Sequence, residues 1–540
     1  MVQINDTIQN NMANQTTQAR AFLKPATAVL PSDPLTSIVL IGAAFLVVRS
    51  ILALTSRGIK APYAGYRSMF EPAFLVRLRF SKGALPQIDE GYRKFKNSFF
   101  KVSRNDKDIL VISNKYLDEL RNLPEEKLNS MQALIENIVG KYSQSEIMLE
   151  GNLHTRILQT KLTPTLANLT SIMKEEVDEA ILRIKAEYAV SDDWAEIPIY
   201  KLMTSLINQI SNRIFLGEVD GRNEEWCRAS LAYAENVTAT IMIVRCFPLW
   251  IRPLAALFVP SVWRVDTHLR AAKNALIPVI NRRREAEKTA GYQKPNDFLQ
   301  WMMDGADAEE GRPEKLAHRQ LILILASLHT TSMAATHAFF DLCAHPEYFE
   351  PLRDEVRDVV RDEGGWAKTT LSKMRKTDSF LKESQRLNPA SLSLSRITVG
   401  FHRIVKEPLT LSDGTYLPTN THLCVASEAI SKDPSFAPNA SDFDGLRYFR
   451  KRQAAEEANK HQFSMTDKTH VHFGHGKFAC PGRFFAANEL KLILARLIEE
   501  FDFKYPEGQT RPDNLNVDEF LYSDPARTLL MRRRIVLDAK

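Results

Sequence analysis

Apolar residues recur at three- and four-residue spacing through Glu314–Ala344, Pro351–Arg361, Thr369–Leu387 and Pro481–Phe501. That period puts them on one face of a helix, so the pattern predicts a mainly helical protein. Strand-like alternation is confined to short pieces such as Arg396–His402 and Thr421–Ala426, which predicts small β-sheets only. A third pattern stands near the front. Leu35–Leu54 reads LTSIVLIGAAFLVVRSILAL, twenty residues with Arg49 as the single charge. As a helix it would be about 30 Å long, enough to cross the hydrocarbon core, and Arg49 is close enough to its end to snorkel. A cleaved leader is disfavoured because a long polar tail precedes the apolar run.

The flanks orient this span. Arg20 and Lys24 before it are balanced by Asp6 and Asp33, whereas Arg57, Lys60 and Arg67 follow it without a nearby acid. The positive side stays cytosolic. The reading is therefore a lumenal tail (1–34), a transmembrane helix (35–54), a Pro/Gly connector (55–67) and a large cytosolic domain (68–540). Sequons start at Asn5, Asn14, Asn168, Asn236 and Asn439, and only the first two would meet the glycosylation machinery in this topology. Cys246–Val265 is apolar, aromatic and broken by prolines; it suits either core packing or a surface dipping into the membrane.

Composition narrows the class without naming it. A length of 540 residues alone suggests about three domains, yet no repeat, low-complexity stretch or long linker divides the chain. Its 44% hydrophobic and 25% charged residues are those of an ordinary globular protein. The net charge of +6 is small, and the basic runs Arg282–Arg284 and Arg532–Arg534 suit solvated surface or an acidic partner. No nucleic-acid motif is present. The five cysteines, Cys227, Cys246, Cys343, Cys424 and Cys480, never form a CxxC pair. That argues against a disulfide framework or zinc site and for a reducing compartment around most of the chain.

One cysteine has a special context, Phe473-Gly-His-Gly-Lys-Phe-Ala-Cys480-Pro-Gly-Arg-Phe-Phe-Ala486. Two glycines allow a tight turn close to a flat ligand. A helix pattern starts directly after Pro481 and Gly482, so Cys480 faces free N–H groups and the positive end of the dipole. Both favour a thiolate, the form that binds metal.

Phe473, Gly476, Cys480 and Gly482 resemble the haem-binding loop of the cytochrome P-450 family, and the Pro-Gly-Arg-Phe-Phe-Ala run is similar to fungal members. Phe478 stands where the family has Arg or His as a propionate partner. Glu383-Ser-Gln-Arg386 resembles its ExxR element, completed by Phe443-Asp-Gly-Leu-Arg447. Arg396 falls where a haem-propionate donor is implied. Leu321–Ser332 resembles the helix crossing the distal haem face, with Ala326-Ser327 as the small pair and His329 in place of the usual acid. The resemblance implies that Thr330 donates a hydrogen bond to the reacting oxygen, and that His329 either relays protons or is packed. The family's Trp-x-x-x-Arg element aligns on Thr155 and Gln159, with Arg156 or Lys161 as open substitutes.

The resemblance implies a cytochrome P-450 fold with one haem-thiolate catalytic domain, Cys480 as metal ligand, and haem (iron protoporphyrin IX) as cofactor. It implies a monooxygenase that takes O₂ and two electrons, from NADPH through NADPH-cytochrome P-450 reductase with cytochrome b5 as a further donor, in the endoplasmic reticulum membrane. Pocket walls are expected from Ile324–Thr331, Ser391–Ser395 and the turn near Tyr522. They are apolar and hydroxyl-rich, which suits a terpenoid or terpenoid-alkaloid intermediate of fungal secondary metabolism. Two alternatives stay open: a haem-thiolate isomerase or dehydratase that does not use O₂, and a non-catalytic haem- or sterol-binding membrane protein.

Overall fold

The computed structural model describes residues 59–389 and 399–534. The 35–54 span, Asn5, Asn14, Arg396 and the 391–395 wall lie outside the described residues. Helices dominate. Those that position the site are α1 (Ser130–Asn137), α2 (Ile199–Asp220), α3 (Glu224–Val244), α4 (Pro260–Ala286), α5 (Pro313–Ala344), α6 (Arg375–Leu387) and α7 (Arg483–Glu500).

Local rules account for their starts. Asn129 caps α1 by accepting the Gln132 N–H at 2.7 Å, and Asn223 caps α3 by accepting the Trp226 N–H at 2.9 Å. Pro313 opens α5 at a position whose N–H has no helical partner anyway. Residues from Leu316 to Leu342 are buried on nearly every side of α5, because α2, α3, α4, α6 and α7 all pack against it. This helix is apolar and long enough to cross a membrane, but 72% of its most apolar stretch is buried inside the protein. It is the core of the domain.

Four small sheets are present among the described residues, and two of them have more than two strands. The first contains β1 (Phe99–Ser103), β2 (Asp108–Ile112), β3 (Leu128–Asn129), β5 (Gly400–Val405) and β6 (His422–Val425), in the order β1-β2-β6-β5-β3. The second contains β4 (Ala195–Ile197), β7 (Phe501–Lys504) and β8 (Leu529–Arg533), with β8 central and Met531 opposite Phe503. The Pro/Gly connector is laid along β1: Lys101 N–H donates to Pro62 O at 2.8 Å, and Ala64 N–H donates to Lys101 O at 2.9 Å.

The pairing of β5 with β6 matters most for the site. Gly400 pairs with Val425 and Arg403 with Leu423, so the register shifts between them. Phe401 takes a left-handed φ of 56° at that irregularity. Successive side chains of a regular strand point to opposite faces; the bulge breaks that alternation and re-aims them. Phe401, His402 and Arg403 therefore all line one cavity.

Candidate active site

The loop before α7 is held from within. Cys480 N–H donates to Phe473 O at 2.7 Å, and Gly474 takes a φ of 73°, a conformation costly for any side chain. Gly476 has a φ of 76°, and a Cβ there would lie 2.4 Å from the Arg121 carbonyl oxygen. Its close approach is thus to backbone, and Gly476 does not line the cavity. Gly482 does line it, and a Cβ at that position would meet nothing within 4 Å. Phe473, Gly474, Phe478, Cys480 and Pro481 complete this floor.

Of the five cysteines only Cys480 lines the cavity. Burial pushes its thiol up from the ordinary value, while N–H groups of Gly482 and Arg483 and the Arg483 guanidinium pull it down. The helix start expected to favour the thiolate is present but is outweighed by desolvation. Coordination to a metal deprotonates such a thiol outright, so this balance concerns the metal-free chain.

Behind the loop, Glu383 and Arg386 share one face of α6 and pair bidentately at 2.7 and 2.8 Å. Arg447 reaches the same carboxylate at 3.1 and 3.2 Å, and Arg386 and Arg447 also donate to backbone oxygens between Ser431 and Asp442. Glu383 is 0% exposed and Arg386 2%. All charges are matched by hydrogen bonds, which is what makes such burial tolerable.

Opposite the cysteine loop runs α5. Ala326, Ser327, Thr330 and Thr331 line the cavity, and Ile324 is sealed in the core instead. The Thr330 hydroxyl donates to Ala326 O at 2.8 Å, so the side it presents to the cavity is a hydrogen-bond acceptor. Donation into the cavity requires giving up that intrahelical bond.

His329 is one residue away and about 100° round the helix. It does not line the cavity; it is buried, and its Nδ1 lies 3.0 Å from Tyr200 Oη on α2. Burial holds its pKa down at about 4. The structure therefore places His329 as a packed, neutral ring away from the cavity. His329→Gln is expected to leave the pH dependence of turnover between about pH 5 and 8 unchanged. Its effect belongs in stability. The unfolded ring takes up a proton near its reference value of ~6.5, before the folded ring does, so the contribution of the neutral ring is full above that pH and is lost as pH falls towards 4. Urea unfolding of wild type and variant should converge over that acid window; a difference independent of pH would contradict the buried neutral ring.

The cavity encloses about 1330 Å³ of atom-free space including its mouth. Its other walls come from α1 (Ser130, Met131, Leu134, Asn137), from Met148, His154, Thr155 and Leu158, and from Phe215 on α2. Tyr522 is not among the lining residues. The lining contains no Asp or Glu. It does contain one buried cation: Arg403 lies 4.1 Å over the Phe401 ring and 5.6 Å over the Phe478 ring, and its Nη2 has no hydrogen-bond partner among the described residues. His154 also lines the cavity with an orphaned Nε2. Neither Arg156 nor Lys161 substitutes for the missing helix arginine. Arg156 donates outward to Gly305 O, and Gln159 and Lys161 are exposed.

A broad cleft, a cysteine in its floor, a side-chain-free glycine beside it and orphaned cationic and imidazole N–H groups form a consistent set. They fit a flat cofactor that brings an iron for the thiol and carboxylates for Arg403 and His154.

A family model described as Cytochrome P450 matches residues 75–531. The chain belongs to the cytochrome P450 family. Relatives include "Cytochrome P450 monooxygenase AN1598" of Emericella nidulans, 54% identical over 488 residues that cover 90% of each chain. "Cytochrome P450 monooxygenase olcJ" of Penicillium canescens is 47% identical over 481 residues, 89% of each chain. "Ent-kaurene oxidase" of Gibberella intermedia is 42% identical over 487 residues, 90% of each chain. This P450 is a haem-thiolate monooxygenase, and its haem is bound through a cysteine thiolate. It draws electrons from a redox partner and acts on a small molecule.

Arg396, the donor that the resemblance implies, lies outside the described residues, and Arg403, His154 and the α1 wall join the cavity beyond the residues that the sequence pointed to. The only local signal for Arg403 is its place directly after Phe401-His402 in a short strand pattern. Nothing local marks the bulge that turns it inward.

Proposed function

We propose that Cys480 is the axial thiolate of a membrane-bound P450 that oxidises an apolar small molecule, a terpenoid or terpenoid-alkaloid intermediate of fungal secondary metabolism. The observation that carries this reading is one cavity with Cys480 in its floor, Thr330 opposite and no carboxylate in its lining. Such a cavity gives a charged metabolite acid nothing to balance it except Arg403, and it rewards buried hydrocarbon at roughly 25 cal/mol per Å². The relative named ent-kaurene oxidase supports a terpenoid of this kind.

Haem bound here supplies the oxygen activation and electron transfer that side chains cannot. The residues do the rest. Arg403 and His154 would hold its carboxylates, and Phe473, Gly474 and Gly482 would leave room against it. Thr330 holds its Oγ1 proton on Ala326 O and presents an acceptor to the cavity, so delivering that proton into the cavity would require releasing the intrahelical bond. Leu134, Phe215 and Leu323 exclude water and orient hydrocarbon. NADPH-cytochrome P-450 reductase, with cytochrome b5, is the proposed electron source.

If Thr330 steers protons, Thr330→Ala should release oxygen as peroxide, uncouple NADPH consumption from product, and slow product formation by about 10²-fold or more. The test is product analysis with candidate terpenoids in a host that supplies a reductase, with peroxide measured alongside. Full coupling at full rate in the variant would remove Thr330 from the mechanism.

The membrane reading has support beyond the 35–54 span. Met69, Phe70 and Phe74 are exposed beside the first described helix, and Trp250, Leu254, Phe258 and Trp263 around the start of α4. Asn105 bonds both Ser81 and Cys246, which tethers the helix carrying Phe74 to the segment just before Trp250, and exposed apolar residues of this kind suit contact with a membrane surface. In this topology endoglycosidase should remove mass from microsomal protein only while Asn5 or Asn14 is intact. Asn168 and Asn439 are exposed, so a glycan on either would place the large domain in the lumen and overturn the orientation.

A further inference from the structure

Asn137 is the last residue of α1, lines the cavity and is only 3% exposed. Its Oδ1 accepts from Arg104 Nη1 at 2.7 Å, and its backbone oxygen accepts from Arg245 Nη1 at 2.9 Å. A guanidinium only donates, so the amide atom facing Arg104 has to be the oxygen. This fixes which way the amide points. Its Nδ2, with two donors, is turned from Arg104 and has no acceptor among the described residues. Arg104 cannot swing away to release it. It is 2% exposed, paired with Asp106 at 2.6 and 2.7 Å, and touches Glu519 at 3.3 Å. Arg245 is locked in the same buried network by Asp518 at 3.0 Å and Glu519 at 2.9 Å.

The neighbours of Asn137 along the α1 wall are Ser130, Met131 and Leu134, so the amide stands beside a largely apolar surface. Hydrogen-bonding its oxygen to a cation polarises the amide and strengthens the N–H as a donor. Nδ2 makes no hydrogen bond to another described residue and belongs to a residue that lines the cavity, so it is free to donate to a ligand oxygen there.

We infer that Asn137 is a specificity-determining residue. Its Nδ2 donates to an acceptor oxygen on the substrate, so the ligand is an apolar molecule already carrying a hydroxyl, carbonyl or ether away from the carbon to be oxidised. This rests on the apolar-substrate reading above and narrows it: the class of reaction that supplies this substrate must itself install an oxygen on the hydrocarbon. Sites that bind a substrate oxygen through a buried polar group reject analogues lacking it, because the protein group is then left unpaired.

Two substitutions separate the donor from the anchor. Asn137→Asp keeps an oxygen for Arg104 but, ionised, offers no donor. Asn137→Leu keeps the approximate volume and loses both. The probes are androstane and its ring-A ketone, rigid polycycles differing by one acceptor oxygen. Binding to the haem-loaded, full-length enzyme is followed by the spin-state change in the visible spectrum. Wild type should bind the ketone about 3- to 10-fold more tightly than the hydrocarbon, the range of one hydrogen bond. Both variants should lose that preference while still binding the hydrocarbon. Equal binding of the two probes by wild type, or a preference that survives in Asn137→Asp, would overturn the assignment. If wild type bound neither probe, the apolar-substrate reading would fall first and the Asn137 assignment with it.

Discussion

Cys480→Ser is expected to abolish the thiolate signature of the reduced carbon-monoxide difference spectrum and to reduce monooxygenation below detection. Serine preserves the turn: the backbone bond from residue 480 to Phe473 O and the left-handed Gly474 do not involve the side chain. The loss would therefore be one of ligand chemistry. An alcohol is a far weaker iron donor than a thiolate, and thiolate ligation is what pushes electron density towards oxygen and favours O–O cleavage. No other cysteine can take over, since Cys227, Cys246, Cys343 and Cys424 stand away from the cavity. The protein should remain folded. An unaltered spectrum in the variant would show that the iron is held elsewhere and would end the site assignment.

The second large effect is expected at the buried ion cluster. Glu383→Ala strands two guanidinium groups, Arg386 and Arg447, in a region where the carboxylate they lose is 0% exposed. Arg386→Ala leaves the buried carboxylate with Arg447 as its one remaining cation and frees the oxygens of Ser431 and Ala440. Removing one partner of a buried pair costs about 3–5 kcal/mol, a large part of the about 5–15 kcal/mol that keeps a domain folded. Glu383 also accepts the Asp444 N–H at 3.0 Å, so the cluster ties the segment from Ser431 to Arg447 onto α6. Haem-loaded protein should fall several-fold in yield, and the surviving fraction should unfold at lower temperature. Recovery of stable, fully loaded enzyme with slow turnover would show that the cluster serves catalysis rather than architecture.

Much of this was legible in the sequence, and the reasons differ between residues. The helix period over Glu314–Ala344, the spacing of Glu383 and Arg386, and the glycines and helix start around Cys480 are all short-range patterns. Spacings of three or four residues decide which side chains share a helical face whatever packs against it. The same rules could not choose between His329 and Thr330. Adjacent residues on a helix differ by about 100° in direction, and both suit a proton relay by residue type. The packing of α2, which brings Tyr200 to 3.0 Å from His329, turns His329 into the protein and leaves Thr330 at the cavity.

The sequence by itself determined a mainly helical chain with small sheets, the thiolate loop and the ExxR pair, because backbone geometry and side-chain spacing act over one or two turns. Tertiary structure alone decided which polar atoms face the cavity. Arg403 enters it through a register shift between β5 and β6, strands joined by a pairing no local pattern encodes. The Asn137 amide is oriented by Arg104, 33 residues earlier, and its backbone by Arg245, 108 residues later. A buried polar group is set by the partners that satisfy it, and those partners come together only when the chain has folded.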